Sequence, residues 1–165
     1  QDINWTSQYY LENNIAIVHK KPTAVQIVQV DYPRRSAAKI TEAYFKKPST
    51  TDYNGIYKGK YIDFEVKETR QKTAFPLKNF HEHQIAHIRQ ILDHGGICFI
   101  IMKFTSDDDV YLLNASDLLD YWKSHLTGGR KSISKLQLEK QAHIVPQGLM
   151  PRIDYIKVID RLYID

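Results

Sequence analysis

The chain has 165 residues, 42% of them hydrophobic and 25% charged, with a formal net charge of +4. Those values fit one ordinary globular domain with a proper core, and they exclude a disordered or collagen-like chain. A lone cysteine, Cys98, excludes an internal disulfide and fits a reducing cytosol, no apolar run is long enough to span a bilayer, and no signal peptide is visible.

NWTSQYYLENN, with Ile3 just ahead of it, places Trp5, Tyr9 and Tyr10 at helical spacing and predicts a first helix. NIAIVHKK and TAVQIVQV are β-branched and alternate, and Lys21-Pro22 separates them, so they predict a hairpin or two adjacent strands. The next run, DYPRRSAAKITEAYFKKPSTT, has no strong period and no long apolar face. Its basic residues Arg34, Arg35, Lys39, Lys46 and Lys47 alternate with Tyr32, Tyr44 and Phe45, which predicts a protrusion or long loop outside the core. DYNGIYKGKYIDFEVKET predicts a hairpin about KGK, with a bend or bulge at Asn54-Gly55.

NFHEHQIAHIRQILDHGG predicts an amphipathic helix with Ile85, Ile88 and Leu92 as its stripe and Gly95-Gly96 as its stop. GICFIIMKF predicts a buried strand, DDDVYLLN a second, and ASDLLDYWKSH a helix. SKLQLEKQA predicts a short helix after the GGRKS loop. RIDYIKVIDRLYI predicts a terminal helix burying Ile153, Ile156 and Ile159 or Leu162. There is no internal repeat or low-complexity tract. This order predicts a mixed α/β domain over residues 1–165 with a central mixed sheet flanked by helices.

The chemistry concentrates in YIDFEVKET. Ile62, Phe64 and Val66 point one way from a strand, and Asp63, Glu65, Lys67 and Thr69 the other. Two readings of the charged face stand open. One is a solvated face of an antiparallel sheet, with Glu65 and Lys67 loosely paired. The other is a metal site with a catalytic lysine beside it. Asp52 opens the preceding strand, and hairpin pairing can bring it into register with Glu65. Two carboxylates there suit Mg²⁺, a hard cation that keeps several waters. Lys67, about 7 Å along the strand from Glu65, can polarise an attacking water or stabilise charge on a phosphoryl group. Asp63 shares that face. It reads as a supporting group for such a site or, more simply, as a surface or salt-bridging residue.

Other signals carry less. His83 and His87 stand four apart on the predicted helix, but the HExxH order is missing and no Cys or His cluster matches them, so zinc has little support. They read as lining the phosphate side of a cleft or as solvated. Asp107, Asp108 and Asp109 read as a polar turn between strands. No glycine-rich phosphate cradle is present, and Cys98 in an apolar run reads as core rather than nucleophile.

STTDYNGIYKGKYIDFEVKET, with YPRRSAA and FPLKNFHEHQ around it, closely resembles the RecU-type Holliday junction resolvases of low-GC Gram-positive bacteria. GICF, GRKSI and PRIDYI extend the resemblance over nearly the whole chain. The resemblance implies a restriction-endonuclease-like α/β fold with the PD-(D/E)-x-K nuclease core. Here that pattern is Asp52 followed by Glu65-Val66-Lys67, with Thr51 where the family pattern has a proline of no ligand role. It implies Asp52, Glu65 and Lys67 as catalytic residues, and Thr50, Asp52, Glu65 and Gln84 as ligands of Mg²⁺, with Mn²⁺ able to substitute. Lys67 is then the transition-state stabiliser.

It further implies a homodimer whose basic stalk, here residues 31 to about 50, enters a four-way DNA junction. Arg34, Arg35, Lys39, Lys46 and Lys47 then contact phosphates. Tyr44 and Phe45 either stack on bases or anchor the base of the stalk. Family members also carry a basic arm ahead of the point where this chain starts. The expectation is an Mg²⁺-dependent endonuclease that resolves Holliday junctions by paired incision in recombination and repair. It is expected to be cytoplasmic, nucleoid-associated and off the membrane, with recombinase and branch-migration proteins as further partners. A non-catalytic DNA-binding scaffold is the rival, against which the intact Asp–Glu–Lys set argues. A sequence-specific duplex cutter is the third reading, against which the basic protrusion argues.

Overall fold

In the computed structural model, which describes residues 1–46 and 50–164, strands and helices begin and end largely where the periodicity of the sequence changes. Helix α1 (Asp2–Glu12) leads to β1 (Ile17–Lys20). An exposed pair follows, β2 (Val25–Asp31) and β3 (Lys39–Phe45), and then the hairpin β4 (Tyr53–Tyr57) and β5 (Lys60–Thr69). A short strand β6 (Ala74–Pro76) precedes α2 (Glu82–Asp93), β7 (Ile97–Phe104) and β8 (Asp109–Asn114). The chain closes with α3 (Ala115–Leu126), β9 (Ser132–Ser134), α4 (Lys135–Gln141), β10 (His143–Ile144) and α5 (Tyr155–Tyr163).

Six strands form the central sheet in the order β1-β4-β5-β7-β8-β10. β5 and β7 run parallel, which requires a crossover, and α2 supplies it; the other pairings are antiparallel. β7 lies in mid-sheet and is covered on both faces, which is why GICFIIMKF reads as an unbroken apolar run. On one face Ile62, Phe64, Phe99 and Ile101 pack with Ile3 and Tyr10 of α1 and with Tyr155 and Ile159 of α5. Phe64 stacks between Tyr53 and Phe99 at centroid distances of 4.9 and 4.8 Å. On the other face Cys98, Ile100 and Met102 pack with Ile85 and Ile88 of α2, Leu118 of α3 and Leu138 of α4. Among the described residues no helix is long and apolar enough to cross a membrane.

Three local expectations are corrected. Trp5 is not on the buried face of α1: the buried stripe is Ile3, Thr6, Ser7 and Tyr10, and Trp5 projects to solvent beneath the Arg152 guanidinium, 4.7 Å from its ring centroid. IVHK and VQIVQV do not pair with each other. β1 pairs with β4, whereas β2 pairs with β3 in a separate two-stranded ribbon whose strand residues are all exposed. Pro22 lacks an N–H, and the chain leaves the central sheet there. The run from Asp31 is therefore half of an exposed ribbon that begins at Val25 and shifts register near Gln29, not a loop.

Asn54-Gly55 is no bulge either, because β4 and β5 pair without a shift from Tyr53–Phe64 to Tyr57–Lys60. Glycine is needed at 55 because a Cβ there would lie 2.0 Å from the Ile17 carbonyl oxygen of β1. The turn itself uses Lys58 and Gly59 at φ +46° and +76°, the positive pair that matches strand twist.

Candidate active site

The polar face of β5 lies under α2. Asp63 and Glu65 are 0% and 1% exposed, so the reading of a solvated strand face is overturned. Alternation placed the carboxylates on one face correctly, but α2, not solvent, covers that face. Lys67 is half-buried further along, its ammonium 5.7 Å from the Phe80 ring centroid.

The β4–β5 register brings Asp52 to Glu65. The ladder ends at the Tyr53–Phe64 pair, and just beyond it the Asp52 side chain meets the Glu65 carboxyl. Burial pushes the Glu65 carboxyl up to about 9, and the hydrogen bond and charge of Asp52 add to the rise against the opposing pull of the Lys67 ammonium. Two carboxyls are thus held together in a poorly solvated place, which favours the protonated form of Glu65.

Gln84 closes this cluster from α2. Its Nε2 donates to Glu65 Oε2 at 3.0 Å and reaches the Thr50 carbonyl oxygen at 3.5 Å, while its Oε1 accepts the His81 N–H at 3.2 Å in the helix cap. Gln84 therefore presents a nitrogen to Glu65, and its oxygen faces the cluster only after a half-turn of the amide. The Thr50 hydroxyl donates to the Thr51 carbonyl at 3.3 Å. So Thr50, Asp52, Glu65 and Gln84 converge, and Lys67 stands two residues along the strand from Glu65.

This donor set fits a hard divalent cation. It has two carboxylates, a main-chain carbonyl, a hydroxyl and an amide, which suits an ion that keeps several waters. Bringing two carboxyls together without a cation is electrostatically unfavourable, and a divalent ion removes that repulsion. Among the described residues no three His, Cys, Asp or Glu side chains gather as a metal-binding group, so a zinc site on His83 and His87 has no support.

A second cluster lies beside the first; sequence reasoning offered Asp63 as a supporting group but named none of its partners. The Asp63 carboxylate accepts hydrogen bonds from Thr51 Oγ1 and, at 2.8 Å, from the Tyr61 hydroxyl. His87 Nε2 lies 3.2 Å and Lys21 Nζ 3.5 Å from its Oδ2. Asp63 is thus neither a surface residue nor an isolated salt bridge. The available signals were weak: Asp63 shares the Glu65 face, and His87 lies three residues after Gln84 on one face of α2.

The predicted DNA-contacting residues occupy other ground. Arg34, Arg35, Lys39, Tyr44, Phe45 and Lys46 are exposed on or beside the ribbon, and Lys47 lies outside the described residues. Tyr44 is 62% and Phe45 82% exposed, so neither anchors the ribbon by packing on the core.

The profile of a family described as Recombination protein U, RecU, matches residues 1–161. Three curated relatives carry the name Holliday junction resolvase RecU. One from Geobacillus sp. (strain WCH70) is 61% identical over 163 residues, 99% of this chain and 81% of its own length. One from Geobacillus kaustophilus (strain HTA426) is 61% identical over 162 residues, 98% of this chain and 81% of its own. One from Bacillus mycoides (strain KBAB4) is 60% identical over 163 residues, 99% and 82%.

Proposed function

Because this chain belongs to the Recombination protein U family, RecU, we propose that it is an Mg²⁺-dependent endonuclease that resolves Holliday junctions by paired strand incision. The observation that carries the chemistry is the buried Glu65 carboxyl held against Asp52, with Lys67 two residues along the same strand. The relatives' names supply the substrate class. Residues 1–165 act as one nuclease domain, with the basic ribbon inserted as a stalk.

Asp52 and Glu65, with Thr50 and Gln84, hold the cation. When bound, Mg²⁺, or Mn²⁺ in its place, supplies Lewis-acid charge and an activated water at the phosphodiester. Lys67 keeps its ammonium beside the reacting phosphate and stabilises the charge that develops on the phosphoryl oxygens. The Phe80 ring excludes part of the solvent around it, which strengthens that interaction. On the ribbon, Arg34, Arg35, Lys39, Lys46 and Lys47 meet phosphates, and Tyr44 and Phe45 stack on bases opened at the branch point. Two copies act as a homodimer in the cytoplasm, each cutting one strand.

The test is a labelled synthetic four-way junction beside its matching duplex, with Mg²⁺ or with EDTA, using the parent protein and Asp52→Asn. Paired incisions in the junction alone, dependent on the metal and lost in the variant, are expected. Tight junction binding without incision under any divalent metal would overturn the enzymatic reading.

A further inference from the structure

We infer that Asp63 is a positioning residue for the metal-ligand segment, acting through Thr51 and Lys21. The inference rests on the reading of Thr50, Asp52, Glu65 and Gln84 as metal ligands. Thr51 stands between two of them and is 2% exposed. Had the β4–β5 ladder continued past Tyr53–Phe64, Thr51 would face Val66 on the opposite side of the sheet. Instead its hydroxyl is bonded to Asp63. The chain has thus left the ladder before Thr51, and the bond to the Asp63 carboxylate fixes the Thr51 side chain. Fixing that side chain restricts the peptide units on both sides, which carry the Thr50 carbonyl and the Asp52 side chain.

Lys21 completes the fastening. Its ammonium donates to Thr51 Oγ1 at 3.1 Å and lies 3.5 Å from Asp63 Oδ2, and its main-chain N–H donates to the Asp52 carbonyl at 2.7 Å. Lys21 stands where the chain departs for the ribbon, and Thr50–Asp52 where it returns. Both feet of the ribbon are therefore tied to one buried carboxylate on the strand that carries Glu65 and Lys67. Asp63 Oδ1 accepts from Thr51 and its Oδ2 is shared among Tyr61, His87 and Lys21, so the carboxylate is committed to fixing these side chains. It holds the ligand segment through Thr51 and Lys21.

The experiment is Mn²⁺ binding to the DNA-free chain, followed by electron paramagnetic resonance of the free ion, with thermal melts to confirm folding. The proteins are the parent, Asp52→Asn, Asp63→Asn, Thr51→Val and Thr51→Ser. Thr51→Val and Asp63→Asn are expected to weaken Mn²⁺ binding by about ten- to a hundredfold, the usual effect of losing a partner that orients a ligand. Thr51→Ser, which keeps the hydroxyl, is expected to bind like the parent. A purely structural role would lower the melting temperatures and leave the affinity of the folded protein unchanged. Parent-like binding by folded Thr51→Val or Asp63→Asn, or equal losses in Thr51→Ser and Thr51→Val, would overturn the positioning role alone. Failure of the parent to bind Mn²⁺, or parent-like binding by Asp52→Asn, would overturn the metal site on which it rests.

Discussion

Glu65 carries an electrostatic strain that the fold imposes and that a bound cation would relieve. Its carboxyl is raised from 4.5 to about 9 by burial first and by Asp52 second. Between those values the folded chain binds a proton that the unfolded chain has released, so stability falls as pH rises through that window. Melting temperatures in EDTA should therefore decline from about pH 4.5 to about 9. Asp52→Asn removes the neighbouring charge and should flatten the decline; a slope unchanged by that substitution would contradict the coupling. Added Mg²⁺ should raise the melting temperature most at the alkaline end, where the carboxyl yields its proton readily. At Lys67 the issue is the rate. Lys67→Ala should lower the single-turnover cleavage rate by about a hundred- to a thousandfold, the scale of losing one preorganised charge. Junction binding in gel shifts should stay close to that of the parent, and a parallel loss of binding would contradict a transition-state role.

The hairpin β4–β5 sets Asp52 against Glu65, and two glycines sustain it for different reasons. Gly55 lies under β1, where a Cβ would meet the Ile17 carbonyl at 2.0 Å. Gly59 has open space around it but sits at φ +76°. Gly59→Ala should therefore cost about 1 kcal/mol in chemical denaturation, the conformational penalty alone. Gly55→Ala must displace backbone and should cost about 2–4 kcal/mol. Because β1 ends next to Lys21, the same variant should also weaken Mn²⁺ binding, which Gly59→Ala should leave unchanged. Equal stability losses at the two positions would argue against the close approach of β1 and β4.

In the whole molecule the ribbon is thermodynamically separable from the sheet. Its strand residues are all exposed, and the Lys46 N–H donates to the Ala24 carbonyl at 3.0 Å, which closes its base. Replacing residues 25–45 by a short turn should shift the melting temperature by only a few degrees, within the reach of about 1 kcal/mol, while reducing junction affinity sharply. Retained junction affinity would remove the ribbon from DNA binding. Arg35→Ala should weaken junction binding and lower the slope of log affinity against log salt by about one phosphate contact. An unchanged slope would mean that Arg35 meets no phosphate.

The apolar periods of α2, β7 and α5 and the hairpin about Lys58-Gly59 were legible because each depends on neighbours close in the chain. The approach of Asp52 to Glu65 was legible as a hairpin pairing, but the continuous register that brings it about, without the bulge expected at Asn54-Gly55, came from the folded structure. The resemblance over the whole chain added Thr50 and Gln84, which local reasoning would have left as solvated residues. Alternation along β5 showed that Asp63, Glu65 and Lys67 share a face, but a period of two cannot say what covers it. That depended on α2 crossing over β5, a contact decided by the parallel pairing of β5 with β7. The strand character of β2 was local, whereas its partner was not, so β3 rather than β1 pairs with it. The bonds from Lys21, Thr51 and His87 to Asp63 join positions far apart in the chain where no ladder runs, and only the packed tertiary structure brings them to one buried carboxylate.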